Sequence, residues 1–162
     1  MRPRTAAVAL AVIAAAVAAW YFWPSPASEI RRRLHALAAD VNQGASDGLH
    51  GVARAARIGT YFTDDVVIDL GQGTAPIEGR ETLMGMVARL EPRTAQFRLT
   101  FEDVNVRMQG DSDAEVSLTA EIERQGKTPR DASMDAREFT LALSKVGADW
   151  RIARVRAVET IR

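Results

Sequence analysis

Three carboxylates and a phenol fall within nine positions of one another, at Tyr61, Asp64, Asp65 and Asp69. A carboxylate set in apolar surroundings has its pKa raised toward neutrality and can move protons. Asp69 is the candidate of that kind, because it follows Val66-Val67-Ile68. Strand alternation offers Asp69 a plainer role, as a polar residue facing away from the core. Asp64 and Asp65 are adjacent near a helix end, where such pairs solvate or cap the turn. Tyr61 either places its hydroxyl in a pocket or packs as core. His35 lies on the arginine side of a helix and reads as solvated, and His50 has no identifiable ligand partner. Arg80 suits the first turn of a helix, paired with nearby acids. Arg154 and Arg156 share strand parity with Trp150 and Ile152, so they line the interior as anion contacts or face solvent after a register slip.

Other chemistries are excluded by composition. The chain has no cysteine, hence no thiol nucleophile, thiolate zinc site or disulfide. Two histidines leave little for a metal, and none is expected. Gly71-Gln72-Gly73 is too short for a dinucleotide fingerprint and reads as a turn, so no cofactor is expected. With 21 Lys+Arg against 21 Asp+Glu and no basic stripe carrying aromatics, nucleic acid is not an expected partner.

The elements that position these residues follow from periodicity. Ser28 can cap a first helix carrying Ile30, Leu34, Leu37, Ala38 and Val41 on one side, while Pro24 and Pro26 end the apolar helix that precedes it. Asp47 can cap a second helix through Leu49, Val52, Ala53 and Ala56. A short strand spans 65–70, and Gly79-Arg80-Glu81 opens a third helix that runs to Leu90 and carries Leu83, Met84 and Val87. From Phe97 the period becomes two. Phe97, Leu99 and Phe101 alternate, then the apolar set slips one register to Val104, Val106 and Met108, which predicts a β-bulge at Glu102-Asp103. Three further strands follow, through Val116 and Leu118, through Phe139 and Leu141, and from Trp150, with a polar loop over 126–131. The expected fold is α+β, a curved antiparallel sheet wrapped around the N-terminal helices and enclosing a cone-shaped hollow.

Ahead of this domain, Ala6 to Trp23 is an uncharged, mostly apolar run of 18 residues. As a helix it measures about 27 Å, enough for a hydrocarbon core. Arg2 and Arg4 precede it and no basic residue follows until Arg31, which orients the N-terminus to the cytoplasm. Trp20-Tyr21-Phe22-Trp23 suits the headgroup layer. The alternative is a cleaved signal peptide with small-x-small sites at Ala16-Val17-Ala18 or Ser25-Pro26-Ala27. The expected organisation is a cytoplasmic N-terminus over 1–5, a membrane anchor over 6–23, a linker over 24–27 and the exported domain over 28–162. The expected location is a bacterial inner membrane, single pass, with the C-terminal domain periplasmic.

Tyr61-Phe62-Thr63-Asp64-Asp65-Val66-Val67-Ile68-Asp69, followed by Ile77-Glu78-Gly79-Arg80-Glu81, resembles the nuclear transport factor two-like superfamily. That group includes SnoaL-like proteins and ketosteroid isomerases. The closing stretch Phe139 to Val155 is similar to its final hairpin. The resemblance implies the cone fold over Ser28 to Glu159. Ketosteroid isomerases use a carboxylate base, a tyrosine and a protonated acid. Aligned here, those positions fall on Leu70, near Leu37, and at Phe139 or Thr140.

These positions lack isomerase chemistry, so the expected function is a membrane-anchored, non-catalytic domain that takes an apolar small molecule or lipid in its cone. Leu37, Val41, Tyr61, Phe62, Leu70, Val87, Phe139 and Trp150 are the expected pocket residues. One alternative is a dimeric scaffold or assembly subunit of an envelope complex, a homodimer pairing through the sheet. Another is an isomerase or dehydratase that uses Asp69 or Glu138.

Overall fold

Ser25, not Ser28, caps the first helix. Its hydroxyl oxygen accepts from the Ser28 backbone N–H at 3.3 Å. Pro26 stands in the first turn of the helix, where its fixed φ and missing N–H cost nothing. The computed structural model describes residues 12–13, 25–43, 49–71, 73–90, 97–124 and 133–158. In chain order these form α1 (Pro26–Asn42), α2 (Leu49–Gly59), β1 (Phe62–Asp69), β2 (Ile77–Glu78), α3 (Arg80–Leu90), β3 (Phe97–Met108), β4 (Asp113–Arg124), β5 (Ser133–Val146) and β6 (Asp149–Ala157).

The proposed cap at Asp47 and the polar loop over 126–131 lie outside the described residues, as does the anchor over 6–23 apart from Val12 and Ile13, which are helical and exposed. Among the described residues no helix is long and apolar enough to cross a membrane.

The strands form one sheet in the order β2-β1-β6-β5-β4-β3. The meander from β3 to β6 is antiparallel as expected, but β1 pairs with β6 in parallel, so the sheet is mixed. β2 pairs with one side of β1, β3 takes the far edge of the sheet after α3, and the meander then returns β6 to the other side of β1. Alternation shows which face a residue occupies, not which strands are neighbours.

Two register shifts within the antiparallel meander shape the sheet, besides one between Phe62 and Val67 where β1 meets β6. The β3–β4 pairing slips between Glu102 and Asn105, where Asp103 takes a φ of 52°, at the expected bulge. A second slip lies between β5 and β6, where Leu141 pairs with Val155 but Leu143 pairs with Ile152. It turns Arg154 and Arg156 out to solvent and keeps Val155 inside.

α1 lies across the concave face with Ile30, Leu34, Leu37 and Ala38 buried. Ile30, Leu34 and Leu37 pack with Val66, Val116, Leu141, Leu143, Trp150 and Ile152. At its C-terminal end, Asn42 treats β3 as a neighbouring strand would. Its amide donates to Leu99 O at 2.8 Å and its Oδ1 accepts from Leu99 N at 2.7 Å. Arg54 of α2 is buried and donates to Asp40 O at 3.1 Å and Val41 O at 3.0 Å. That guanidinium satisfies carbonyls which the end of a helix leaves without partners.

Candidate functional site

Between the helices and the concave face lies a hollow of about 290 Å³. Leu37 and Val41 of α1, Ile58 of α2 and Leu83, Met84 and Val87 of α3 form its helical wall. Leu99, Phe101, Leu118, Ala120, Ile122, Phe139, Leu141, Ile152 and Val155 form its sheet wall, and Phe62, Ile68 and Leu70 close it along β1. Among the described residues every one that lines the hollow is apolar, with no hydroxyl, imidazole or carboxylate, so a ligand meets hydrocarbon, aromatic rings and one thioether from them.

The hollow opens at one end of the molecule. The start of β3, the ends of β4, β6 and β1, and the C-terminal half of α1 all meet there, with Leu70 40% exposed at the rim. Toward the other end the core is filled, with Ile30, Leu34, Val116 and Leu143 at 2% exposure or less. α3 packs against α2, β1 and β2. At Gly59 the two helices approach so closely that a methyl group there would sit 3.3 Å from Met84 Sδ.

Six of the eight expected pocket residues line this hollow: Leu37, Val41, Phe62, Leu70, Val87 and Phe139. Tyr61 and Trp150 do not. Tyr61 is turned toward α1, where its Oη donates to Asp40 Oδ2 at 2.6 Å and its ring lies under the Arg33 guanidinium at 4.6 Å. Burial, reinforced by the bond to Asp40 and that carboxylate's charge, pushes the phenol up to about 12. Gln43 Nε2 donates to Asp40 Oδ1 at 3.2 Å, and Arg57 Nε lies 3.7 Å from the same oxygen. This cluster ties the end of α1 to the start of β1. Trp150 is buried at the closed end, beside a groove it shares with Glu29, Arg32, Arg33 and Asp149.

Neither candidate carboxylate reaches the hollow. Asp69 Oδ1 accepts from Gly71 N at 2.9 Å, which closes the turn after β1, and strand alternation sends it away from Ile68. Glu138 pairs with Thr119 on the opposite face of the sheet from Phe139 and is exposed beside a recess with Asp103. Asp64 and Asp65 are exposed, and Asp64 Oδ1 holds Arg80 at 2.7 Å. His35 is exposed, while the His50 side chain lies outside the described residues. Among the described residues no three His, Asp or Glu side chains converge as a metal would need.

Sequence reasoning missed much of the wall. Leu99, Phe101, Leu83 and Met84 were legible as inward-facing, but periodicity does not tell a packed core from an open hollow. The burial of Arg54 had no signal at all, because an arginine in a helix is ordinarily solvated.

A family model of the SnoaL-like domain matches residues 28–156. No curated protein matches the sequence. Among solved structures, one named as a candidate scytalone dehydratase from Novosphingobium aromaticivorans superposes with a TM-score of 0.65 at 12% identity, covering 82% of this chain and 83% of that one. A candidate aromatic ring hydroxylase from the same organism gives 0.66 at 16% identity, over 84% and 90%. An NTF2-like protein with a cystatin-like fold, also from that organism, gives 0.60 at 15% identity, over 80% and 78%. At such identities the likeness shows the fold alone.

Proposed function

Because the chain belongs to the SnoaL-like domain family, a fold on which neighbours bear unlike activity names, we propose that its own function is read from its hollow: it binds an apolar small molecule or lipid and does no chemistry on it. The observation that carries this reading is a wall of apolar side chains open at one end. At about 290 Å³ the space is about twice the 150 Å³ of an apolar cavity that stays dry and admits benzene. It lies near the lower limit of small-molecule pockets, roughly 300 Å³. A ring with a short chain, or a single medium-length chain, fits that size. The driving force is removal of apolar surface from water, about 25 cal/mol per Å². Proton transfer within the hollow would need a base on its wall, and Asp69 and Glu138 both serve other surfaces.

We further place this domain outside a bacterial inner membrane, tethered through 6–23, with homodimer pairing through the outer face of the sheet. Arg2 and Arg4 ahead of the apolar run support the orientation.

The test is titration of the full chain, in nanodiscs with empty nanodiscs subtracted, with the neutral dye N-phenyl-1-naphthylamine. Saturable enhancement with one site per chain is expected. Leu70→Glu, at a half-exposed rim position where the fold tolerates charge, should weaken it tenfold or more. A dye signal unchanged by Leu70→Glu, in a variant that melts like the parent, overturns the proposal.

A further inference from the structure

Beyond the hollow the concave face continues, and there its chemistry changes. The β4–β5 pairing runs without a slip from Asp113↔Ser144 to Arg124↔Ser133, so paired residues share a face along its whole length. Leu118 and Phe139 are one such pair, and both line the hollow. The next pair on that face is Ala120 with Arg137, and Ala120 also lines the hollow. Arg137 is therefore the first polar residue that a ligand meets along β5, one alternation beyond Phe139. The pair after that is Ile122 with Asp135, and then Arg124 with Ser133.

The mouth on the sheet side thus carries two guanidiniums and one carboxylate, with an arginine nearest the hollow. Arg124, Asp135 and Arg137 are all exposed, and none forms an ion pair among the described residues. Charges on the opposite face of the sheet do find partners, as Arg107 does 3.6 Å from Glu115. An arginine with no ion pair among the described residues, beside an apolar cavity, suits a ligand with two unlike ends.

On the binding reading above, we infer that the ligand is an anionic amphiphile, whose apolar body fills the hollow and whose carboxylate or phosphate head meets Arg137, with Arg124 behind it. The described residues of the wall offer the body no polar group, so specificity for the head is assigned to this rim. Guanidinium suits either head, because its planar fork matches the oxygens of both. Asp135 lies on the same face and opposes the anion, and Arg124 offsets that charge.

The experiment compares dodecanoate, dodecyl phosphate, dodecanol and dodecyltrimethylammonium as competitors of the neutral dye on the full chain, below their micelle concentrations and at low salt. The anions should compete roughly two- to fivefold better than dodecanol, in keeping with one exposed charge contact. Dodecyltrimethylammonium should be the poorest of the four. Arg137→Gln should abolish the anion's advantage and leave dodecanol unchanged. Arg98→Gln, an equal charge change on the outer face opposite Glu123, should leave that advantage intact. Asp135→Asn should enlarge it, and 0.5 M salt should shrink it.

Dodecanoate and dodecyl phosphate in separate arms distinguish a fatty-acid from a phosphate head, and either one preferred supports the inference. If dodecanol competes as well as both anions, or if Arg137→Gln leaves their advantage intact, the inference fails and the binding reading stands. If no amphiphile displaces the dye, both fall.

Discussion

At the scale of single residues, the polar groups of this protein hold the fold together around an unpolar site. Tyr61 is the clearest case. It sits in a segment rich in acids, yet its hydroxyl serves Asp40 on α1 and not the hollow. Its pKa, raised to about 12 from an ordinary 10.0, means that the folded state favours the neutral phenol. The stability this brings is present in full below pH 10 and is lost as pH rises through about 12. Alkaline absorbance at 295 nm should show one tyrosine ionising near pH 12 in the native chain and not in Tyr61→Phe. Urea unfolding should find the variant about 1.5–3 kcal/mol less stable at neutral pH, the scale of a hydrogen bond to a charged group. A native tyrosine titration complete by pH 10.5 would contradict the assignment. Asp69 was legible as either base or bystander, because alternation alone sets its face. Arg154 and Arg156 were not legible, since one extra residue in β6 reverses their direction and leaves no compositional trace.

At the scale of elements, three helices, five strands and the bulge at Asp103 followed from periodicity. The parallel neighbour of β1 did not, because pairing between distant strands depends on where the connections pass. The same holds for what protects the sheet's far edge. β3 has a partner on one side only, and α1 covers the other through Asn42 and through Arg31 Nε, 3.5 Å from Val104 O. An uncovered edge is a template for further pairing. The Leu99 N–H is held by Asn42, so Asn42→Ala should speed its hydrogen exchange while amides bonded within the β4–β5 ladder keep theirs. The cost in stability should be about 1 kcal/mol, because water can reach the freed groups. Unchanged exchange at Leu99 would mean that another group holds this edge. Leu99 also lines the hollow, so the clasp fixes one wall of the site.

At the scale of the whole molecule, the direction of α1 relates the hollow to the rest of the chain. Glu29 and Arg33 lie beside Asp149 and Trp150 at the closed end, while Asn42 lies at the mouth beside Leu99. α1 has 17 residues and so spans about 25 Å. The apolar run ends at Trp23, three residues before this helix begins at Pro26. On the membrane reading proposed above, a tether leading into Pro26 would attach at the closed end, and the hollow would then open away from the bilayer. An amphiphilic ligand would enter from the aqueous side or from a carrier, head last. The chain has no cysteine, so single labels can report this directly. In liposomes with nitroxide headgroups, a fluorophore at Ala148→Cys, in the turn before β6, should be strongly quenched, and one at Leu70→Cys should be quenched far less. The reverse order would turn the mouth toward the lipid and make the bilayer itself the source of the ligand. Equal, weak quenching at both sites would detach the domain from the membrane surface and remove the tether's hold on its orientation.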